Sequence, residues 1–204
     1  KQMKKFTAHN TLWLLISILP LMLLIGSGVI NTSIVIIDLV FIYIVFKQKK
    51  IDFNDKLILY VFIFFWLSLI INLLFSLNFN NSFLRVFGII RFAILALAIK
   101  FVLEEFSQKM IKKIFLIWSI IFCTVSLDLV FELIFGFDSL GNHSYMPGRL
   151  SGFLGKELKI GNWYLGFGLM VVSFVYCSFK KNYLFYSILI ITILISFTIG
   201  ERAN

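Results

Sequence analysis

Long stretches of apolar residues are the feature that most constrains how this chain folds. Several exceed the ~18 apolar residues that mark a membrane-spanning helix, and only 14% of the 204 residues are charged. A soluble domain has a charged fraction of about a quarter. We therefore expect an all-α, polytopic bundle of about seven transmembrane helices that forms a single domain over residues 1–204. The predicted spans are 11–30, 34–46, 57–77, 83–103, 114–135, 162–179 and 183–199.

The first two predicted spans carry local signals of their own. Pro20 lies inside the first span and is expected to kink it, which neighbouring helices tolerate in a membrane. The polar residues at 31–33 are expected to form a tight turn. The span that follows this turn is short for a hydrocarbon core of ~30 Å.

The distribution of basic residues predicts the orientation in the membrane. The net charge is +9, and in a polytopic protein surplus Lys and Arg lie mostly in cytoplasmic loops, so no nucleic-acid partner is expected. With the N-terminus in the cytoplasm, thirteen lysines fall on the inner side and five basic residues on the outer side. The C-terminal end is then on the outer side. The five outer residues are Arg85, Arg149, Lys156, Lys159 and Arg202.

Arginine and lysine are also divided between the two sides. All four arginines fall on the predicted outer half or within the membrane, whereas every cytoplasmic cation is lysine. A guanidinium group binds phosphate or carboxylate with two hydrogen bonds, which an ammonium group does not do. The division favours an anion site that faces outward, with a chance distribution as the alternative.

Four ionisable residues lie within the apolar stretches. Each costs roughly 2.5–3.5 kcal/mol at the centre of a membrane helix, so we expect all four to face the bundle interior and find partners. Asp128 and Glu132 are four residues apart and share a helix face. We expect Arg91 to pair with one of them. Together with Asp38, these residues are predicted to pin helices together, to line a polar cavity that opens outward, or to do both.

The loop at 145–161 is the most polar part of the chain. Its four glycines permit tight turns and close approach to a ligand. Arg149, Ser151, Lys156 and Lys159 are candidate contacts for a diphosphate, and the alternative is an ordinary solvated loop. His143 has a side chain that can act as a base near neutral pH, but a lone loop histidine is more often incidental.

Two short strings in this chain resemble motifs of the O-antigen ligase and O-antigen polymerase family. The first is Gly148-Arg149-Leu150-Ser151-Gly152-Phe153-Leu154, which precedes a new span. The second is Thr198-Ile199-Gly200-Glu201-Arg202-Ala203-Asn204, which follows one. The opening span, with its proline and the polar residues after it, is also similar to the start of this family. The chain would then be the N-terminal portion of a longer protein.

The resemblance implies a metal-independent glycosyltransferase of the bacterial inner membrane, active on the periplasmic side. Such enzymes take a glycan from an undecaprenyl-diphosphate carrier and attach it to lipid A–core or to another glycan repeat. Arg149 and Arg202 would contact the diphosphate. The family's catalytic histidine lies in a later periplasmic loop, so no catalytic residue is assigned in this chain. No cofactor is implied. Cys123 and Cys177 lie in apolar stretches, which favours structural thiols over a metal site.

Ligase and polymerase activity remain open alternatives at this point. A transporter or flippase for an anionic or lipid-linked substrate would also need membrane-buried charge and outward-facing arginines. Transporters are often built from two repeated halves with broken helices at corresponding positions. We find no such pairing among the seven predicted spans. A non-catalytic membrane scaffold is a third alternative, which no residue pattern specifically favours.

Overall fold

The computed structural model describes residues 2–48, 56–144, 148–154, 160–179 and 182–199. Over these ranges all regular structure is helical, which confirms the all-α prediction. The helices are α1 (Gln2–Ser17), α2 (Leu19–Ile25), α3 (Ser27–Gln48), α4 (Lys56–Leu74), α5 (Phe79–Gly88), α6 (Ile90–Glu105), α7 (Gln108–Phe135), α8 (Ile160–Phe179) and α9 (Asn182–Ile199), with a 3-10 turn at Gly152–Leu154.

Several of these helices are long and apolar enough to cross a membrane. Four qualify among the described residues, and a fifth candidate is the pair Ala8–Ser17 and Leu19–Ile25, bent by 54°. The chain is therefore a helical membrane protein. The apolar helices Tyr60–Leu74 and Tyr183–Ile199 are shorter. The four long candidates are Ser27–Lys47, Phe79–Glu105, Gln108–Phe135 and Ile160–Ser178.

The helix breaks near the N-terminus differ in part from the prediction. The kink expected at Pro20 is confirmed, because the break between α1 and α2 falls just before this proline. The turn expected at 31–33 is wrong, since these residues lie inside α3. The chain breaks instead at Gly26, where φ is 140°. A helix in lipid satisfies its backbone groups internally, so three consecutive polar residues do not end it.

The chain divides into two compact units. The first comprises Lys1–Ile16 with Asn31–Phe106, and the second comprises Ser17–Ile30 with Ser107–Asn204. The prediction of one domain over the whole chain stays a prediction.

In the first unit, α3 and α6 contribute buried apolar side chains to a common core. The rings of Phe41 and Phe101 lie 5.7 Å apart between their centroids. Helices α4 and α5 are joined by a hydrogen bond of 3.2 Å from the indole N–H of Trp66 to the carbonyl of Val86. The ring of Trp66 also packs edge-on against Phe87.

In the second unit, α7, α8 and α9 pack against one another, and α2 and the 3-10 turn pack against α7. Gly168 of α8 allows this helix to approach α7 and α9 closely. A Cβ atom at this position would lie 2.7 Å from Thr192 of α9 and 3.2 Å from Phe122 of α7. The hydroxyl groups of Tyr164 and Ser126 lie 3.0 Å apart and link α8 to α7 within this core. The loop that follows α7 thus begins at the end of a closely packed group of three helices.

Candidate functional site

The first part of the loop after α7 is organised around one buried carboxylate. Helix α7 ends at Gly136 in the left-handed conformation, with φ at 78°. Asp138 is fully buried, and its carboxylate accepts the main-chain N–H groups of Leu140 and Asn142 at 3.0 and 2.6 Å. It also accepts the side-chain amide of Asn142 at 3.0 Å. These bonds fix the conformation of the turn from within.

His143 connects this turn to the C-terminal end of α7. Its Nδ1–H donates to the carbonyl of Gly136 at 3.0 Å, and its ring packs edge-on against Phe137. The position supports the view that this histidine is a loop residue with a local structural contact.

Asp128 and Glu132 lie on one face of α7, as their spacing predicts, and both are buried. Asp128 accepts the main-chain N–H of Ser139 at 2.9 Å through Oδ1, while its buried Oδ2 has no hydrogen-bond partner. Glu132 accepts the N–H of Gly152 at 2.7 Å and both the N–H and the hydroxyl of Ser151. Two carboxylates one helical turn apart therefore hold two separate parts of the loop.

Gly152 fits closely against α7 because it has no side chain. Its φ is 50°, in the left-handed region that disfavours residues with a Cβ atom. A Cβ atom there would lie 2.8 Å from Ile160 Cδ1 and 3.2 Å from Leu129 Cδ2 of α7. The close approach of the loop to α7 thus depends on glycine at this position.

Arg149 lies half-buried immediately before this anchored segment. The next residue, Leu150, donates its main-chain N–H to the carbonyl of Ile199, the last residue of α9, at 3.3 Å. Both Leu150 and Ile199 are buried. The bond brings together two segments about fifty positions apart in the sequence.

Three of the predicted site residues lie outside the described residues. They are Lys156, Lys159 and Arg202. Their proposed contacts with a diphosphate stay predictions. Ser151 is described, and its hydroxyl donates to Glu132 at 3.1 Å with no exposure to solvent.

Asp38 and Arg91 belong to the other compact unit, in α3 and α6. Asp38 is buried and interacts electrostatically with the guanidinium of Arg91. This guanidinium also lies over the ring of Phe92, 4.9 Å from its centroid. Asp38 Oδ1 and Arg91 Nε are both buried without a hydrogen-bond partner. The structure thus gives Arg91 a carboxylate neighbour in its own unit, whereas the expected pairing with Asp128 or Glu132 stays a prediction.

Sequence reasoning did not identify Asp138 as an organising residue. A signal was present, since Asp138 starts a segment in which Gly141 and Asn142 follow, and these residue types are typical of tight turns. Among the described residues, no three side chains of His, Cys, Asp and Glu are grouped so as to hold a metal ion.

Comparisons of the chain with models of protein families, with curated proteins and with solved structures gave no match.

Proposed function

We propose that the protein takes part in transfer of a glycan from an undecaprenyl-diphosphate carrier to lipid A–core or to another glycan repeat. The observation that supports this most directly is the hydrogen bond from Leu150 to Ile199. It joins the two strings that resemble the family's motifs. Arg202 follows Ile199 by three residues, and three residues of chain span at most ~11 Å. This hydrogen bond lies next to Arg149 in the sequence and within that chain distance of Arg202.

The proposed location is the outer face of the bacterial inner membrane. The predicted topology of seven spans requires that the two shorter apolar helices cross the membrane together with the bent helix pair and the four long candidates. With the N-terminus in the cytoplasm, the excess of lysine on the inner side agrees with the positive-inside rule. Arg149 and the loop that carries it would then be periplasmic.

The contribution of this part of the chain would be electrostatic. Negative charge develops on the departing diphosphate, and preorganised positive groups that face it lower the barrier to transfer. A guanidinium suits this role because it is planar, permanently charged and able to donate two parallel hydrogen bonds. The base that deprotonates the acceptor hydroxyl is expected in a later loop, as the resemblance implies.

The test is glycan transfer by the complete gene product reconstituted in proteoliposomes with an undecaprenyl-diphosphate-linked glycan. Arg149→Ala and Arg202→Ala should each lower transfer by about a hundredfold or more without lowering the amount of folded protein. Arg149→Lys should recover only part of the loss. Lys112→Ala, which removes an exposed cation at the other end of α7, is the matched control and should transfer like the wild type. Full transfer by Arg202→Ala would refute the role given to this residue.

A transporter or flippase for an anionic or lipid-linked substrate is the second candidate. The broken helix at α1 and α2 favours it, because discontinuous membrane helices often form transport sites. The same proteoliposomes separate the two proposals. Movement of the lipid-linked glycan between leaflets, without transfer to an acceptor, would support transport.

A further inference from the structure

The carboxylate of Glu132 occupies the backbone donors that a phosphate would use in a glycine-rich loop. Consecutive main-chain N–H groups beside a left-handed residue form a concave anion site. Here those groups belong to Ser151 and Gly152, and they point at Glu132 with distances between 2.7 and 3.1 Å. The hydroxyl of Ser151 completes the set. The anion site formed by Ser151 and Gly152 is therefore already filled by the protein itself.

Because Glu132 occupies these donors, fewer groups of the loop remain available to bind a substrate. Ser151 is fully buried and Glu132 is nearly so, at 2% exposure. A diphosphate does not reach their donors without displacing a buried carboxylate. The half-buried Arg149 is the positively charged group of the described loop that stays available. An anion near the described part of this loop would therefore be bound by the Arg149 side chain rather than by the N–H groups of Ser151 and Gly152.

The same contacts restrain the direction of Arg149. On its C-terminal side, Leu150 is bonded to Ile199, and the next two residues are bonded to Glu132. The backbone is therefore fixed over the three residues that follow the arginine. Since hydrogen bonds to a charged acceptor are about twice as strong as neutral ones, Glu132 provides the strongest part of this restraint.

We propose that Glu132 is a positioning residue that aims Arg149 by holding the backbone of Ser151 and Gly152. Its relevance to catalysis rests on the proposed function, whereas the restraint itself is a property of the fold. The substrate group that this arrangement suits is a diphosphate bound by arginine side chains rather than by backbone N–H groups.

The restraint is tested without any transfer reaction. In the complete protein with Cys123→Ala and Cys177→Ala, Arg149→Cys supplies a reporter thiol for a charged maleimide. Adding Glu132→Gln replaces the charged acceptor by a neutral amide, so the hydrogen bonds from Ser151 and Gly152 lose about half of their strength. We expect labelling at position 149 to become about fivefold to a hundredfold faster, because the loop opens more often. Glu104→Gln neutralises an exposed carboxylate of α6 and should leave the labelling rate unchanged.

A milder variant keeps the test decisive if Glu132→Gln does not yield folded protein. Ser151→Ala removes one hydroxyl bond and leaves the backbone N–H bonds in place, so labelling should become about twofold to fivefold faster. An unchanged labelling rate in folded Glu132→Gln, or in Ser151→Ala where only that variant folds, would overturn the proposal.

The catalytic consequence is measured separately by transfer kinetics. Glu132→Gln should raise KM for the lipid-linked donor about tenfold or more in the presence of Arg149. In an Arg149→Ala background the same change should have no further effect, because the two residues act through one contact. Additive effects would overturn the positioning role. Faster labelling together with transfer that does not depend on Arg149 would instead overturn the proposed function and leave the restraint standing.

Discussion

The indole N–H of Trp163 donates a hydrogen bond of 3.0 Å to the main-chain carbonyl of Pro20, 143 positions earlier in the chain. Trp163 lies in the first turn of α8, and Pro20 lies in the short helix α2. The bond joins the broken helix to the helix that follows the candidate loop. Both residues belong to the second compact unit.

Trp163→Phe should destabilise the protein by about 1 kcal/mol beyond the loss of packing area, because a buried hydrogen bond is lost. The aromatic contacts with Phe122 and Phe167 would be kept in part. The measurement is thermal unfolding in detergent, monitored as the fraction of protein that remains monodisperse. Tyr186→Phe, which alters an exposed ring on α9, should leave the unfolding temperature unchanged. A Trp163→Phe variant as stable as the wild type would show that the bond contributes no net stability.

Two glycines of α8 provide a matched pair for testing the packing of the second unit. Gly168→Ala should destabilise by about 1–3 kcal/mol, because the new methyl group would overlap Thr192 of α9 and crowd Phe122 of α7. Gly166→Ala places its methyl group in open space and should be neutral or stabilising by about 0.5–1 kcal/mol.

Chemical denaturation or thermal unfolding of the two α8 variants side by side gives the comparison. Equal unfolding midpoints would contradict the close approach of α7, α8 and α9 at Gly168.

The sequence predicted the helices well and their breaks less well. Apolar stretches become helices in lipid because every backbone N–H and C=O must be satisfied within the segment. That same requirement carries α3 through Asn31, Thr32 and Ser33, where polarity suggested a turn. Pro20 was a reliable signal because proline lacks the N–H that would continue the ladder.

Of the hydrogen-bonding groups in the candidate site, only the carboxylates were predictable from the sequence. The four-residue spacing of Asp128 and Glu132 correctly indicated a shared, buried helix face. Their partners were not predictable, because they are main-chain N–H groups, which almost every residue carries. Only the folded loop selects Ser139, Ser151 and Gly152 from among them.

Asp38 and Arg91 should depend on each other for stability. Arg91→Gln leaves a buried carboxylate without its charged neighbour and should lower the amount of folded protein severalfold, and Asp38→Asn should do the same. The double variant should recover part of the loss, because neither charge is then unmatched. The measurement is the yield of monodisperse protein from isolated membranes. Normal yield with lost glycan transfer for Arg91→Gln would move this residue from a structural role to the site.

The orientation can be tested by labelling single cysteines in intact cells. In a background with Cys123→Ala and Cys177→Ala, Leu140→Cys places a thiol on the exposed turn after α7. It should react with a membrane-impermeant maleimide in intact cells. Lys112→Cys, at the exposed start of α7, should react only after permeabilisation. The opposite pattern would invert the predicted topology and place Arg149 in the cytoplasm.

The hydrogen bond from Leu150 to Ile199 sets an order of assembly during synthesis. Glu132 precedes Ser151 and Gly152 in the chain, so its hydrogen bonds to them can form as soon as the loop leaves the ribosome. The contact with Ile199 must wait until α8 and α9 have been translated and inserted. The segment that carries Arg149 therefore gains its second support late, after both of the following helices are in the membrane. The insertion of α9 thus supplies a hydrogen-bond partner to a segment made about fifty positions earlier.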